Sequence, residues 1–468
     1  MAGIGFEIRK LMDEETYSGD FKAYFFAGII SSGPWIISIL CLGFLWIFSA
    51  PYFGMQLQKL FRVVVVYTYA YSLISTGFIQ FTLTRFLSDK LFLKQRNILL
   101  PTYIGVLLVT VLFQGLIATV FYSFSQVDLH FKIIGIILFI AVSCIWQTMI
   151  FLSASRDFIA IVGAFFWGNL LSFLLAIGLG QKFGFNGHLL GFTIGQVIIV
   201  FLLMYRIFYE FNSTVLFNFE FLRYTKKYVK LFLIGVFYYL AIWVDKLIYW
   251  YVPSGEHIKD LFYSHYPYDS CMFLAFLTIM PALAHFMIDV ETNFYAAYKE
   301  FYGSIVNRGS FAEIKRKKAE MLKVLTEAST RMLLLQTVIT GAFLFYAPVF
   351  IKFLNLQPSA LIVLRMAGIG TYFHVFLLLS LIMLLYFDRK KAAFTVALFF
   401  LTTNTLFTLL IIKFAPSLMG VGYASATFLS SIFAMCLLRW NTNNIEFVTF
   451  VEQPLKPPKL PKAPTEKV

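Results

Sequence analysis

Long apolar runs recur along the whole chain and are separated by short polar stretches. Each run is continuous rather than alternating, which is typical of a membrane helix and not of a barrel strand. A helix needs about 20 residues to cross roughly 30 Å of hydrocarbon. Twelve spans are therefore predicted, at residues 24–49, 63–86, 98–123, 131–153, 158–179, 187–209, 231–252, 271–296, 332–354, 360–386, 392–413 and 419–438.

Composition and charge support this interpretation and orient the chain. Of the 468 residues 60% are hydrophobic and only 13% are charged, whereas about a quarter are charged in a soluble domain. The net charge of +14 would suggest nucleic acid in a soluble protein, but here basic loops explain it, and we expect no nucleic-acid partner. With both termini inside, the cytoplasmic segments carry 29 of the 38 Lys and Arg residues, and the opposite loops carry 7.

The predicted fold class is an all-α polytopic membrane protein with twelve transmembrane helices. They form two six-helix bundles around a central cavity, and both termini are cytoplasmic. The chain start lacks the apolar core of a cleavable signal peptide, so the first span is expected to remain. The predicted parts are an N-terminal amphipathic segment at 1–23, the first bundle at 24–209, a cytoplasmic linker at 210–230, the second bundle at 231–440 with a cytoplasmic amphipathic loop at 298–330, and a Pro/Lys-rich cytoplasmic tail at 441–468.

Two local patterns refine that outline. Ser310 and Glu313 have the spacing of a capping box, which predicts a helix start inside the amphipathic loop. That helix either lies on anionic lipid headgroups, the favoured alternative, or forms a docking surface. Asn169 and Asn404 are 235 residues apart, as are Gly187 and Gly422, which is a weak indication that the two halves are repeats.

Asp245 and Lys246 lie inside the seventh predicted span. Ionisable groups at bilayer depth are costly and are therefore candidates for function. Because neighbouring residues on a helix point about 100° apart, we expect the two side chains not to pair tightly with each other. Either they form a structural ion pair with a neighbouring span, through Arg365 for example, or they line a wet pathway.

His285 and Asp289 are four residues apart and share one face of the eighth span, whereas Glu291 points nearly the opposite way. The pair could relay protons or line an entrance to the pathway, but it could also simply lie where water reaches the end of the span. No phosphate-binding loop and no clustered Cys/His or H-E-x-x-H metal motif is present, so no cofactor, metal or catalytic residue is expected.

Pro34 and Trp35 follow a Ser-Ser-Gly sequence near the middle of the first span. Proline removes a helical hydrogen bond, so a kink is predicted, and broken helices mark binding sites in several transporters. Packing is an equally good explanation. Aromatic residues cluster from Trp243 to Tyr268, where an interfacial belt is favoured over stacking against sugar rings.

Several stretches together resemble a known family of inner-membrane transporters, the PelG family of Pel exopolysaccharide systems, in the multidrug/oligosaccharidyl-lipid/polysaccharide (MOP) flippase superfamily. The resemblance runs from residue 1 to about 440 and omits only the tail. The matching stretches are Met1–Leu11, Ser31–Ile36, Gln80–Asp89, Tyr268–Pro281, Glu291–Tyr298, Phe301–Tyr302 and Leu385–Lys390.

This resemblance implies two six-helix bundles around a cavity and transport of an amino-sugar polymer across the bacterial cytoplasmic membrane. It also implies a separate cytoplasmic glycosyltransferase and other membrane subunits of a Pel-type synthase complex as partners, besides the lipid bilayer. It brings no catalytic residue. The alternatives are a drug antiporter or a lipid-linked oligosaccharide flippase of the same superfamily, and more distantly a membrane-embedded polymerase or acyltransferase.

Overall fold

The computed structural model describes residues 17–155 and 157–451, and almost all of them are helical. Most of the segment 1–23 and most of the tail therefore lie outside the described residues. The first half, residues 17–210, consists of α1 Tyr17–Ser49, α2 Met55–Phe92, α3 Leu99–Ser123, α4 Leu129–Ser155 and α5 Phe158–Glu210. The second half, residues 229–443, consists of α7 Val229–Trp250, strands β1 Glu256–Lys259 and β2 Phe262–Ser264, α8 Tyr266–Leu277, α9 Met280–Asp289, α10 Tyr295–Val306, α11 Phe311–Phe353, α12 Ala360–Tyr386, α13 Lys390–Phe414 and α14 Val421–Asn443. Helix α6 Glu220–Lys227 connects the halves, and α15 Ile445–Phe450 follows the second.

Ten helical stretches in the described part of the chain are long and apolar enough to cross a membrane, and α1 adds a shorter apolar stretch, Gly33–Ser49. Helix α5 has 53 residues, about 80 Å at helical rise, which is far more than one crossing needs. Gly184 interrupts it with φ 63° and ψ −147°, a backbone conformation that only glycine adopts readily. The break leaves two arms of span length.

The two halves share local features that support the repeat inferred from sequence. Gly184 and Gly420 are the glycines with positive φ in the described chain, and each precedes the last helix of its half. Asn169 donates a hydrogen bond to the Ser38 hydroxyl of α1 (3.3 Å). Asn404 donates to the Ala241 carbonyl of α7 (2.8 Å). In each half, a buried asparagine thus ties the fifth helical arm to the first.

Helices α2 and α7 join the halves at a close crossing. A Cβ atom added to Gly235 would lie 2.0 Å from the Gly77 carbonyl oxygen, and one added to Gly77 would lie 2.3 Å from the ring of Tyr239. Helices in membranes often approach through small residues, because lipid supplies no hydrophobic force to drive them together. The glycines therefore set how near the two halves can lie.

A β-hairpin follows α7, which the sequence analysis did not predict. Its strands pair antiparallel, with Glu256 opposite Ser264. Phe262 is buried among aromatic rings of the first half, including Tyr67 (5.3 Å between centroids) and Phe131 (6.0 Å). Although it belongs to the second half by sequence, the hairpin packs into the core of the first, and we name this side of the molecule the hairpin end.

Polar contacts fasten the hairpin as well. Lys59 forms an ion pair with Glu256 at 2.6 Å. Asp260 accepts hydrogen bonds from the Ser125 hydroxyl and, at 2.8 Å, from the Gln126 amide. Partial burial tends to raise the pKa of the Asp260 carboxyl, but these hydrogen bonds outweigh it and hold the pKa below its usual value. The hairpin is therefore bound to the first half by charge as well as by aromatic packing.

The amphipathic loop is helical, as predicted, and Ser310 begins its second helix by accepting a hydrogen bond from the Glu313 amide at 3.2 Å. That helix, α11, continues unbroken to Phe353 and so joins the amphipathic part to the ninth predicted span. In its apolar stripe Ile314, Met321 and Leu325 are buried against the protein's own side chains, whereas Phe311 at the start of the helix is 68% exposed. The favoured explanation, that the stripe lies on lipid headgroups, is therefore wrong for these three buried residues.

Candidate functional site

Asp245 lies on α7 inside the second half, and no part of it is exposed. Its carboxylate accepts a hydrogen bond of 2.6 Å from the Tyr268 hydroxyl of α8. The amide of Asn404 on α13 approaches it at 3.4 Å, and the Lys246 ammonium lies at 3.2 and 3.3 Å from its two oxygens. Three helices thus converge on one buried charge.

Asp245 and Lys246 pair directly, so the expectation that adjacent residues would not do so is wrong. The long Lys246 side chain folds back along its own helix and donates to the Ile242 carbonyl at 2.8 Å. It also lies over three aromatic rings, those of Trp243, Phe276 and Tyr423, at 5.1 to 5.7 Å from their centroids. Adjacent residues on a helix point about 100° apart, and the long, flexible Lys246 side chain can bend across this angle, which a short side chain could not.

Arg365, suggested as the partner of Asp245, is exposed on α12. The carboxylate's contacts come from Lys246, Tyr268 and Asn404 instead. Removing two charges from water costs free energy, and their mutual attraction offsets this cost only when further hydrogen bonds satisfy their remaining polar atoms. Tyr268 and Asn404 supply such hydrogen bonds to Asp245. The charge partner of Asp245 thus lies on its own helix, and the neighbouring helices contribute hydrogen bonds rather than the ion pair that was suggested.

A buried histidine that the sequence analysis did not select extends this group. His374 on α12 is 2% exposed and lies between two tyrosines. Its Nε2 atom is 3.1 Å from the Tyr238 hydroxyl and its Nδ1 atom is 3.0 Å from the Tyr423 hydroxyl. A neutral imidazole donates through one nitrogen and accepts through the other, so it can bridge both tyrosines. The available signal was a histidine in the middle of a predicted span.

The eighth predicted span, residues 271–296, is not one continuous helix. Helix α8 ends at Leu277, α9 begins at Met280, and a π-helical turn, Val290–Phe294, separates α9 from α10. Such interruptions are frequent at functional sites, and at membrane depth they occur where protein or a cavity surrounds the backbone. The segment therefore resembles the broken helices that line transport routes.

His285 and Asp289 do share a face of α9, as predicted, with 3.6 Å between the imidazole Nε2 and a carboxylate oxygen. The Nε atom of Arg331 on α11 donates to the same carboxylate oxygen at 3.1 Å, and its Nη2 atom forms an ion pair with that oxygen at 3.1 Å. Asn293 donates to the other carboxylate oxygen at 3.3 Å. Glu291 lies in the π-helical turn. Arg331 was missed because its position one residue before the ninth predicted span suggested an ordinary basic loop residue.

This group, which we call the α9 cluster (His285, Asp289 and Arg331), lies at the boundary of the two halves. Helix α9 packs against α1 of the first half and against α11 of the second. Asp289 is buried, whereas the Arg331 side chain is 47% exposed. The cluster thus joins a buried carboxylate to an exposed cation, where α9 meets both halves.

Pro34 and Trp35 lie in the first half, beside a cleft between α1, α2, α4 and α5. Helix α1 runs through Pro34 without interruption, and the Ser38 hydroxyl donates to the Pro34 carbonyl at 2.9 Å. The ring of Trp35 packs on that of Trp146, with 5.2 Å between centroids. The residues predicted from sequence therefore gather in three separate places, and Arg365 belongs to none of them.

Several aromatic residues around the end of α7 belong to the core rather than to an interfacial belt, whereas Tyr251 is 58% exposed. Tyr249, Trp250 and Tyr268 are each at most 2% exposed. Trp250 stacks on Tyr67 of the first half at 4.6 Å and donates to the Asp269 carboxylate at 3.0 Å. These rings join the halves at the hairpin end.

Solved membrane transporters share this arrangement. A multidrug resistance MATE family transporter of the MOP superfamily, in its outward-facing conformation, gives a TM-score of 0.64 at 12% identity over 91% of this chain and 96% of its own. MATE in the straight conformation gives 0.66 at 12% identity over the same shares. A MOP superfamily transporter from Pyrococcus furiosus gives 0.55 at 14% identity, covering 95% of this chain and 94% of that one. By fold, the chain is a multi-pass membrane protein that has the fold of MATE transporters.

The particular family follows from the sequence. A family model described as "Putative exopolysaccharide Exporter (EPS-E)", PelG, matches residues 1–450, and the chain belongs to this family. The resemblance seen in the sequence motifs is thereby confirmed. No curated protein matches the chain. Family and fold are both those of transporters rather than enzymes.

Proposed function

We propose that this protein carries a Pel-type amino-sugar exopolysaccharide across the bacterial cytoplasmic membrane, between its two halves. The observation that carries the proposal is the family match over residues 1–450, which spans both halves. A cytoplasmic glycosyltransferase makes the polymer, and further membrane subunits of the synthase complex stand beside the transporter. The likeness to MATE transporters supports the fold alone and does not favour a drug as substrate.

The proposed topology has twelve spans and cytoplasmic termini. Ten span-length stretches, the division of α5 at Gly184 and the apolar part of α1 support the number. The bias of Lys and Arg supports the orientation, which makes the hairpin end the outer one. Cysteine accessibility tests it: a single cysteine at His257, which is exposed at the hairpin end, should react with a membrane-impermeant maleimide in intact cells.

Within this proposal the charged groups have different roles. The α9 cluster lies on the route, because α9 contacts both halves and Arg331 is exposed. Asp245 and Lys246 act from inside the second half, where they hold α7 to α8 and α13. Sugar hydroxyl and amino groups would exchange hydrogen bonds with Asp289 and Arg331 as the chain passes.

Gene deletion with complementation tests the function. We expect the deletion strain to keep synthesising polymer inside the cell and to lose it from the surface, and the plasmid-borne gene to restore it. Normal surface polysaccharide in the deletion strain would overturn the proposal. Unchanged polymer together with new sensitivity to cationic drugs would identify a drug antiporter instead.

A further inference from the structure

The chain between the two halves carries apolar side chains on the outside of the molecule. Residues 211–219 contain no helix or strand and lead from α5 into α6. Val215 and Leu216 are 59% and 64% exposed, and Phe217 and Phe219 are exposed as well. We propose that this segment, together with the basic helix α6, binds the surface of an anionic lipid bilayer. The inference concerns the membrane and not the transported molecule, so it does not depend on the proposed export function.

The segment lies on α3 at membrane depth. The Asn218 amide donates to the Pro101 carbonyl at 3.0 Å. A Cβ atom added to Gly105 would lie 2.7 Å from the Asn218 carbonyl oxygen, so the missing side chain of Gly105 makes room for this approach. Helix α3 begins at Leu99, and Gly105 lies about 9 Å further along it at helical rise. Amphipathic segments bound to a bilayer lie at a comparable depth, about 5–10 Å into the boundary of headgroups and acyl chains.

The part of α3 that the segment covers continues into a lipid-facing surface. Leu108, Leu112 and Leu116 are exposed along one side of α3. Pro101 and Gly105, which are buried under the segment, precede them at spacings of three and four residues and therefore lie on the same side of the helix. An exposed apolar side of a membrane-spanning helix contacts acyl chains. The apolar side chains of the segment thus extend a surface that already faces lipid.

Basic side chains lie just beyond the apolar ones. Residues 211–230 include four exposed basic residues: Arg223, Lys226, Lys227 and Lys230. The same stretch has one acidic residue, Glu220, and its carboxylate is paired with Lys90 at 2.9 Å. Apolar side chains beside a basic cluster are typical of a segment that inserts shallowly among anionic headgroups. Charge complementarity therefore selects an anionic phospholipid, which in the proposed orientation belongs to the inner leaflet.

Packing against the first half holds α6 in place. Phe221 is buried in the core of the first half, and the ring of Tyr224 meets that of Phe86 edge-on at 5.0 Å. The basic side of α6 remains outside. A protein that docked on the segment would have to displace lipid from the adjoining leucines of α3, whereas lipid covers both surfaces at once. Since α6 leads directly into α7, the second half begins at a point that is bound to the first half and to the membrane.

Spin labels on the full-length protein in nanodiscs test the depth of the segment. Labels are attached to Val215→Cys and Phe217→Cys after the exposed native Cys436 has been replaced by Ser. Their collisions with oxygen, which dissolves among acyl chains, are compared with those with a water-soluble nickel chelate. We expect a ratio of oxygen to nickel collisions above one at both positions, and below one at Lys323→Cys, the exposed control on α11. A ratio below one at Val215→Cys and Phe217→Cys would overturn the proposal.

Lipid titrations followed by native mass spectrometry test the headgroup. The unmodified protein should bind phosphatidylglycerol more tightly than phosphatidylcholine. Each basic residue near an anionic surface contributes a factor of about five, so Arg223→Gln/Lys226→Gln/Lys230→Gln should weaken phosphatidylglycerol binding by at least about fivefold. The matched control, Lys315→Gln/Arg316→Gln/Lys323→Gln, removes three exposed charges from α11 and should bind as the unmodified protein does.

The remaining outcomes of these experiments also decide the proposal. Equal losses in the two triple variants would reveal a general effect of charge and overturn the site on α6, as would equal binding of the two lipids by the unmodified protein. If the labels meet nickel in nanodiscs but are shielded from both reagents in native membranes, a protein covers the segment and the lipid proposal is wrong. Elution as one peak, with an unfolding midpoint near that of the unmodified protein, excludes misfolding of a variant as the cause.

Discussion

Asp245 and Lys246 are neighbours in sequence that share one fully enclosed site. Replacing Asp245 by Asn leaves the Lys246 ammonium buried without its counter-charge, a change that typically costs about 3–5 kcal/mol. We therefore expect Asp245→Asn to lower the thermal unfolding midpoint of the purified protein and its amount in the membrane. Fluorescence-monitored melting and immunoblots of membranes measure the two effects.

The double variant Asp245→Asn/Lys246→Met is the control, because it removes both charges together. Its stability should return to near that of the unmodified protein, since an apolar replacement of a buried pair is often neutral or stabilising. If Asp245→Asn instead accumulates normally but no longer exports, Asp245 lies on the transport route rather than inside a structural pair.

Arg331 provides the second prediction at this scale. A hydrogen bond to a charged partner contributes about 1.5–3 kcal/mol, so Arg331→Gln should weaken the contact between α9 and α11, and we expect export to fall by about tenfold. Lys323→Gln is the matched control on the same helix, with a side chain that is 78% exposed. Quantifying surface polymer at equal protein level compares them. Equal export by the two variants would show that the α9 cluster is not needed.

The hairpin is an element whose role a cross-link can reveal. Lys59 and Glu256 connect the halves at the hairpin end. If export requires the halves to part there, joining Lys59→Cys to Glu256→Cys with a short bis-maleimide should stop it. N-ethylmaleimide modifies the same cysteines without joining them and should leave export intact. Undiminished export after complete cross-linking would mean that the hairpin end stays closed during transport.

This experiment needs few changes to the rest of the chain. Cys41, Cys144 and Cys271 are buried, and Cys436 is exposed. Cys436→Ser removes the accessible native thiol, and the two single-cysteine variants show whether modification alone has an effect.

The whole molecule depends on how closely α2 and α7 approach. Gly235→Ala places a methyl carbon 2.0 Å from the Gly77 carbonyl oxygen, which is too close for any contact, so the two helices must move apart. Overpacking of this kind typically costs about 1–3 kcal/mol, and we expect a lower unfolding midpoint and reduced export. Gly178→Ala is the control, because nothing lies within 4 Å of its added Cβ. Unchanged melting of Gly235→Ala would refute the role given to this crossing.

At the scale of the whole molecule, the sequence predicted those properties that depend on many residues taken together. Hydrophobic runs predicted the membrane class because each run involves many residues. The equal spacing of two residue pairs, Asn169 with Asn404 and Gly187 with Gly422, indicated the repeat. The hairpin was missed because strands of four and three residues carry little periodic signal and are held by distant partners such as Tyr67.

The candidate site was only partly predictable, for a related reason. Asp245 and Asp289 were selected as candidates because a charged residue inside an apolar run can be recognised from the sequence alone. Their partners Asn404 and Arg331 come from 159 and 42 residues away, and only the packing of helices brings them together. The return of the Lys246 side chain along its helix depends on rotamers that no spacing rule describes.

Phe262 has a consequence for how the protein is made. It comes from the second half of the chain, yet it occupies the middle of an aromatic cluster of the first half. When the ribosome has synthesised only the first six predicted spans, the first bundle lacks Phe262, and its aromatic cluster has a gap at that position. Maturation of the first half must therefore wait for translation to pass residue 262, and a product cut within the connecting segment would expose that gap to quality-control proteases.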